Sequence, residues 1–316
     1  VDLKKEVLSA EKRIRKHIHT TPLEYSGYLS SLCNAEVYLK LENYQLTGSF
    51  KIRGALNKVL SLTKKQREVG VITASTGNHA LGVAHALQIA GGKCAIYVPT
   101  NTSRSKLRAL QYYPVKVRFY GEECEDTEVH ARKIAKRNNQ VYISPYNDWK
   151  IVGGHGTIGI ELENQLKNID HLFASVGGGG FISGIGGYLK SISKNITITG
   201  CLPKNSPVMY ESIKAGKILD MEIKPTLSDG TAGNIEQDAL TFDLCKKYVD
   251  DYILVTETEI KRAITLILDN HHMVIEGAAG VTVASFIKQK KKYTHKTVVL
   301  VICGRNIGLD TLKSLL

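Results

Sequence analysis

Nothing in the 316 residues suits a membrane span, a secretory leader or a disulfide framework. No apolar run approaches the roughly 20 residues that a bilayer crossing requires. The amino-terminal Val1–Lys5 lacks the basic-then-apolar pattern of a signal peptide, so a cytoplasmic location is expected. The six cysteines, Cys33, Cys94, Cys124, Cys201, Cys245 and Cys303, stand singly, with no C-x-x-C pair and no His/Cys cluster at zinc spacing. Neither disulfides nor a structural metal is expected. The nucleotide-binding pattern G-x-x-x-x-G-K-[ST] is missing as well. The G-x-G-x-x-G spacing does occur at Gly154, Gly156 and Gly159. The strand-like run before it, Val141–Ser144, ends too early for the strand-turn-helix unit that a dinucleotide needs, which argues against a nicotinamide-linked oxidoreductase.

What is present is a composition that is 43% hydrophobic, enough to bury a large core, with a formal net charge of +12. The basic residues are spread along the chain, which argues against a nucleic-acid-binding face. The densest run, Lys288–Lys296, lies between an apolar helix-like stretch and a strand-like one and reads as a solvated connector.

Short β-branched or apolar runs recur at Val37–Leu41, Val69–Thr73, Cys94–Val98, Val115–Phe119, Val141–Ser144, Leu172–Val176, Ile196–Cys201, Tyr252–Thr256 and Thr297–Cys303, many of them separated by amphipathic helical stretches. That alternation predicts an α/β fold with largely parallel sheets. So many strands are generous for one open sheet, so two sheets in two domains are expected. No repeat and no low-complexity linker marks a boundary.

Three segments carry chemistry. In Thr47–Gly54 (TGSFKIRG), Ser49 is expected to cap a helix running through Val59, which places Lys51 in its first turn. The helix dipole disfavours a cation there, so an amine at that position suits covalent chemistry on carbonyls, although a surface lysine is the ordinary reading. Ala74–His79 (ASTGNH) follows a strand and opens a helix, a place where backbone N–H groups suit a carboxylate or phosphate; an ordinary capped turn is the alternative. His79 in that turn reads as a packing residue with backbone contacts. Ser175–Phe181 contains four successive glycines, Gly177, Gly178, Gly179 and Gly180, flanked closely by apolar residues. Such a run turns consecutive N–H groups inward as a nest for a dianionic phosphate.

Together and in this order, the three segments resemble the fold-type II pyridoxal-phosphate enzymes, in particular their serine/threonine dehydratase and serine racemase branch. The likeness extends to the turn Cys303-Gly304-Arg305-Asn306 after the last core strand, where Arg305 replaces the glycine usual in the family. The resemblance implies the tryptophan synthase β-like fold: two domains, each with a mostly parallel twisted sheet flanked by helices. Residues 1–47 and 148–316 would form the large domain and residues 48–147 the small one. It implies pyridoxal 5′-phosphate as cofactor, with Lys51 as the Schiff-base lysine, Phe50 beside the ring, and Asn78 on the phenolic oxygen. Gly177–Gly180 would hold the phosphate and Cys303 would face the ring nitrogen, with Gly230 and Glu276 nearby. Ser75, Thr76, Gly77 and His79 would receive the substrate carboxylate, largely through main-chain donors.

The implied activity is that of an ammonia-lyase acting on L-threonine or L-serine, with serine racemase as the alternative, and the implied assembly is a homodimer. Thr76 stands where racemases of the group have serine, and a weakly polar Cys303 at the ring nitrogen favours elimination. Cys201–Val208 lacks the carboxylates of the divalent-metal members, so that metal site is expected to be missing. The chain runs only a short way past Asn306, so no regulatory domain is expected.

Overall fold

The computed structural model describes residues 1–102 and 107–315. Ten strands among them form two sheets: β1 (Leu23–Tyr25), β2 (Glu36–Leu41), β3 (Val71–Ala74), β4 (Cys94–Val98), β5 (Lys116–Phe119), β6 (Val141–Tyr142), β7 (His171–Ser175), β8 (Thr197–Pro203), β9 (Asp251–Val255) and β10 (Thr297–Ile302). One sheet has six strands in the order β1-β2-β10-β7-β8-β9, and the other has four in the order β5-β4-β3-β6. Every pairing is parallel except that of the edge strand β1 with β2. The central strands are buried on both faces, as their unbroken runs of Val, Ile and Leu require: β10 reads TVVLVI and only Thr297 is not fully buried.

In sequence, the four-stranded sheet is an insertion between β2 and β7 of the larger one. The helix Lys51–Ser61 joins the two regions. Its apolar face, Ile52, Ala55, Leu56 and Val59, lies in the core under the four-stranded sheet, whereas the preceding Phe50 belongs to the core of the six-stranded one. Lys51 therefore sits at the boundary between two hydrophobic cores.

This helix crosses the helix Trp149–Gln165 at close range. A Cβ on Gly154 would fall 2.4 Å from the Arg53 carbonyl oxygen, so no other residue fits. Here lies the reason for the G-x-G-x-x-G spacing: Gly154, Gly156 and Gly159 are in mid-helix, on packing surfaces, and none opens a nucleotide-binding turn. Beneath the crossing is a buried ionic cluster. Arg53 donates through Nε and Nη2 to the two oxygens of Glu42, at 2.7 and 2.8 Å, and through Nη1 to Glu161 Oε1 at 2.7 Å. Glu161 also accepts from Lys40 Nζ at 2.6 Å, and Lys40, Glu42 and Arg53 have no solvent exposure. The fork of Arg53 thereby ties the lysine-bearing helix to the 3-10 turn Glu42–Tyr44 just after β2 and to its neighbour helix.

Ser49 is not the helix cap. Phe50 occupies the capping position with no side-chain hydrogen bond, and the Ser49 hydroxyl is buried without a partner. Ser49 instead forms an isolated antiparallel bridge with Gly304, because the chain is drawn into an extended contact with the turn after β10. The Lys288–Lys296 run includes a 3-10 turn, Lys290–Tyr293, with mostly exposed lysines. No helix among the described residues is long and apolar enough to cross a membrane.

Candidate active site

Four helices start around one point, at Lys51, Asn78, Gly180 and Gly277, and none has a side-chain cap. Uncapped helix starts leave N–H groups without intrahelical partners and present positive potential. Lys51 stands in that field, half-buried, with its Nζ donating to Pro145 O at 2.9 Å. Burial lowers its pKa from 10.5 to about 8, against the opposing pull of the Glu276 and Glu128 carboxylates. At pH 7.5 roughly a quarter of such amines are neutral, against ~0.1% for a solvated lysine. The neutral amine is the nucleophile, so the rate at which Lys51 attaches to an added aldehyde is expected to rise with pH and level off above about 8. Stopped-flow absorbance across pH 6–10 measures this; a rate still climbing tenfold per unit at pH 9.5 contradicts it.

The glycine loop follows β7. Gly179 has φ +83°, the left-handed conformation that starts the helix Gly180–Ile192. A Cβ on Gly178 would lie 2.3 Å from the Tyr146 ring, so loop and ring are in contact. Phe181, just past the loop, stacks on Phe50 with ring centroids 3.8 Å apart, and His155 meets Phe50 edge-on at 4.8 Å. Lys51 Nζ lies 5.2 Å from the Phe50 centroid.

Asn78 donates to Glu276 Oε1 and Oε2 at 2.9 and 3.0 Å and accepts from Asn306 Nδ2 at 2.6 Å. Glu276 also receives the Asn306 N–H at 3.1 Å and the Cys303 thiol at 3.8 Å. Burial pushes its carboxyl up to about 7, and burial likewise pushes the Cys303 thiol well above its ordinary value, leaving it protonated at neutral pH. Gly230, in the 3-10 turn Asp229–Thr231, lies on the far side of Glu276: a Cβ there would be 3.8 Å from Oε1. Ser75, Thr76 and Gly77 form the turn between β3 and the helix Asn78–Ala90, and a Cβ on Gly77 would meet nothing within 4 Å, so the turn faces open space. His79 bonds Ile143 O at 3.1 Å, and burial and then the Lys51 charge lower its pKa to about 3. It is neutral and occupied by the backbone.

The structure thus brings Lys51, Phe50, Asn78, the glycine loop, Glu276 and Cys303 to one place, with Gly230 and Ser75–His79 at its rim. Pro145, Tyr146 and Asn306 belong there too and were not singled out from sequence. Asn306 is in a turn already noted; Pro145 and Tyr146 carry no local signature.

A lysine at a junction of two mostly parallel sheets, near a glycine loop at a helix start, is the arrangement of an enzyme that works through an aldehyde-bearing, phosphorylated cofactor. The chain belongs to the pyridoxal-phosphate dependent enzyme family, which it matches over residues 14–304. It is 39% identical to the L-threonine ammonia-lyase of Thermotoga maritima over 305 residues, 96% of this chain and 76% of that protein. Among solved structures it resembles the processed form of threonine deaminase isoform 2 from Solanum lycopersicum, with TM-score 0.93, 31% identity, and coverage of 99% of this chain and 92% of that one. It also resembles the serine racemase from Dictyostelium discoideum, with TM-score 0.89, 34% identity, and coverage of 97% and 99%. The two sheets of mostly parallel strands flanked by helices match this family's fold. The residues present fit its cofactor: the uncapped helix behind Gly177–Gly180 suits a phosphate dianion, and a buried amine of pKa about 8 suits a carbonyl.

Proposed function

We propose that this chain is an ammonia-lyase that converts a small β-hydroxy amino acid, L-threonine or L-serine, to a 2-keto acid and ammonia by β-elimination. The observation that carries this reading is the buried Lys51 amine, its pKa lowered to about 8, at the meeting of four uncapped helix starts. Relatives named threonine ammonia-lyase and threonine deaminase support the reaction type. Pyridoxal phosphate, when bound, supplies the electron sink for the charge left at the substrate Cα.

In this reading Lys51 would hold the cofactor through its amine, Gly177–Gly180 would hold its phosphate through backbone N–H groups, and Phe50 would close the site on the Phe181 side, where the two rings stack. Asn78, oriented by Glu276 and Asn306, would meet the cofactor's phenolic oxygen, and Gly230 borders Glu276. Ser75, Thr76, Gly77 and His79 receive the substrate carboxylate at the start of the helix Asn78–Ala90. With its amine free, Lys51 Nζ would act as the general base that takes the substrate Cα proton. His79 stays neutral and takes no proton. Cys303, its thiol held protonated by burial, would stand at the cofactor's ring nitrogen as a weaker partner than a carboxylate, an environment that favours loss of the β-hydroxyl.

Residues 1–47 and 148–316 form the large domain of this enzyme and 48–147 the small one, and the active form is a cytoplasmic homodimer. A racemase is the second reading, favoured by the 34% identity to the Dictyostelium structure and opposed by threonine in place of serine at position 76. Incubation with L-threonine, L-serine and D-serine, assayed for keto acid and ammonia with chiral separation of residual amino acid, decides between them. Keto acid formed faster than enantiomer supports the lyase. Enantiomer alone overturns it in favour of the racemase, and a protein that gains no visible band with pyridoxal phosphate overturns both.

A further inference from the structure

The segment between β6 and the helix Trp149–Gln165 has no regular structure, yet it supplies two surfaces of the site: Pro145 O, which accepts from Lys51 Nζ, and the Tyr146 ring against Gly178. Irregular backbone at such a place has to be held by side chains. Within the segment, the Ser144 hydroxyl accepts from the Asn147 N–H at 3.0 Å. The remaining fixings converge on Glu236. Its Oε2 accepts from Asn147 Nδ2 at 2.7 Å and its Oε1 from the Ser144 hydroxyl at 3.3 Å, while its backbone N–H donates to Tyr146 Oη at 2.9 Å. Four residues on, Leu240 N–H donates to Asn147 Oδ1 at 3.0 Å.

Glu236 is itself anchored on the opposite side. It pairs with Arg132, whose guanidinium also bonds Glu128 at 2.7 Å and lies 4.2 Å over the Tyr142 ring centroid. Arg132 belongs to the helix Cys124–Arg137, which packs on β3, β4 and β6 of the four-stranded sheet. Glu236 lies between the 3-10 turn Asp229–Thr231 and the helix Leu240–Tyr248, in the part of the chain between β8 and β9 of the six-stranded sheet. One carboxylate thus joins both sheet regions to the segment that faces Lys51. Three donors on one half-buried carboxylate form charge-assisted bonds, the stronger kind.

We infer that Glu236 is a positioning residue for cofactor attachment: it holds Ser144–Asn147 so that Pro145 O meets the Lys51 amine and Tyr146 supports the glycine loop, while touching neither group itself. The inference rests on the proposed role of Lys51. Glu236→Gln replaces one acceptor oxygen with an amide donor, which then faces either the Asn147 amide in the place of Oε2 or the Arg132 guanidinium in the place of Oε1, and removes the charge that Arg132 pairs with. Affinity for the cofactor is expected to fall about tenfold or more, the factor that loss of a charged hydrogen bond brings.

The test uses the purified full chain, freed of cofactor and titrated with pyridoxal 5′-phosphate, with the visible band that Lys51→Ala abolishes as the readout. Trp149, the single tryptophan, is two residues beyond Asn147, and its emission reports on the segment before any cofactor is added. E236Q is expected to shift that emission and weaken binding about tenfold at unchanged far-ultraviolet dichroism. The double exchange E236Q/N147D restores the pair with carboxylate and amide reversed, and is expected to recover most of the affinity; a general loss of stability has no reason to recover. Asn147→Ala, which strands no charge, acts in the same direction with a smaller amplitude and serves if E236Q does not fold. Native affinity in E236Q, or a double variant no tighter than the single one, overturns the inference. Should the native chain form no Lys51-dependent band, the functional reading fails, and unchanged Trp149 emission in E236Q then overturns the positioning role by itself.

Discussion

Lys51→Ala is expected to fold normally and to lose turnover of L-threonine and L-serine by on the order of 10⁴-fold. The fold survives because the removal takes a half-buried amine away and breaks a single side-chain hydrogen bond, to Pro145 O. Deleting a group whose pKa burial lowers to about 8 is also expected to relieve the cofactor-free protein at low pH. The sign follows from linkage. Between about pH 8 and 10.5 the unfolded chain binds the proton more readily than the folded one, so native stability falls as pH drops through that window, and the cost remains below it. Thermal melts of the cofactor-free proteins at pH 7 should therefore favour the alanine variant or leave the two equal. Turnover retained within tenfold of native refutes the assignment of Lys51.

Arg53→Ala is expected to give the largest loss of stability, about 3–5 kcal/mol, because it strands charge where water does not reach. Glu42 loses its bidentate partner, and Glu161 is left with Lys40 and the half-exposed Arg15. The loss should shrink as pH is lowered, since protonation neutralises the stranded carboxylates, and this separates it from a simple packing defect. Arg53→Lys keeps the charge but not the fork, so it should fall between the two. Urea melts at pH 7.5 and 5.5 measure both effects; equal losses at the two pH values contradict the electrostatic account.

The parts legible in the sequence are those whose chemistry is local. Strand runs such as Cys94–Val98 and Thr297–Ile302 show themselves because parallel, doubly covered strands are apolar throughout. The three-residue β1 escaped because an edge strand with two exposed residues, Glu24 and Tyr25, has no such pattern. The glycine loop was readable since only glycine suits it. Lys51 was readable only in company, for a lysine in a first turn is unremarkable by itself. The reading of Ser49 as a cap failed because a long-range bridge to Gly304 set its backbone, and nothing within six residues records that contact. Pro145, Tyr146 and Glu236 were missed for the same reason: their importance lies in partners tens of residues away, through backbone atoms and loop geometry that carry no motif.

The order of strands has a consequence for how the molecule comes into being. Of the six strands in the larger sheet, β10 comes latest in sequence, yet it lies in the interior between β2 and β7, pairing residues 297–302 with 36–41. Until it inserts, β2 and β7 have no common neighbour and the sheet cannot close. Contacts so distant in sequence form slowly, because a long loop must be ordered before any pairing rewards it. Cys303, Gly304 and Asn306 follow β10 directly, so Phe50 N–H gains its acceptor Cys303 O, and Asn78 and Glu276 their bonds from Asn306, only at that step. A nascent chain therefore exposes Lys51 long before the groups that surround it are in place.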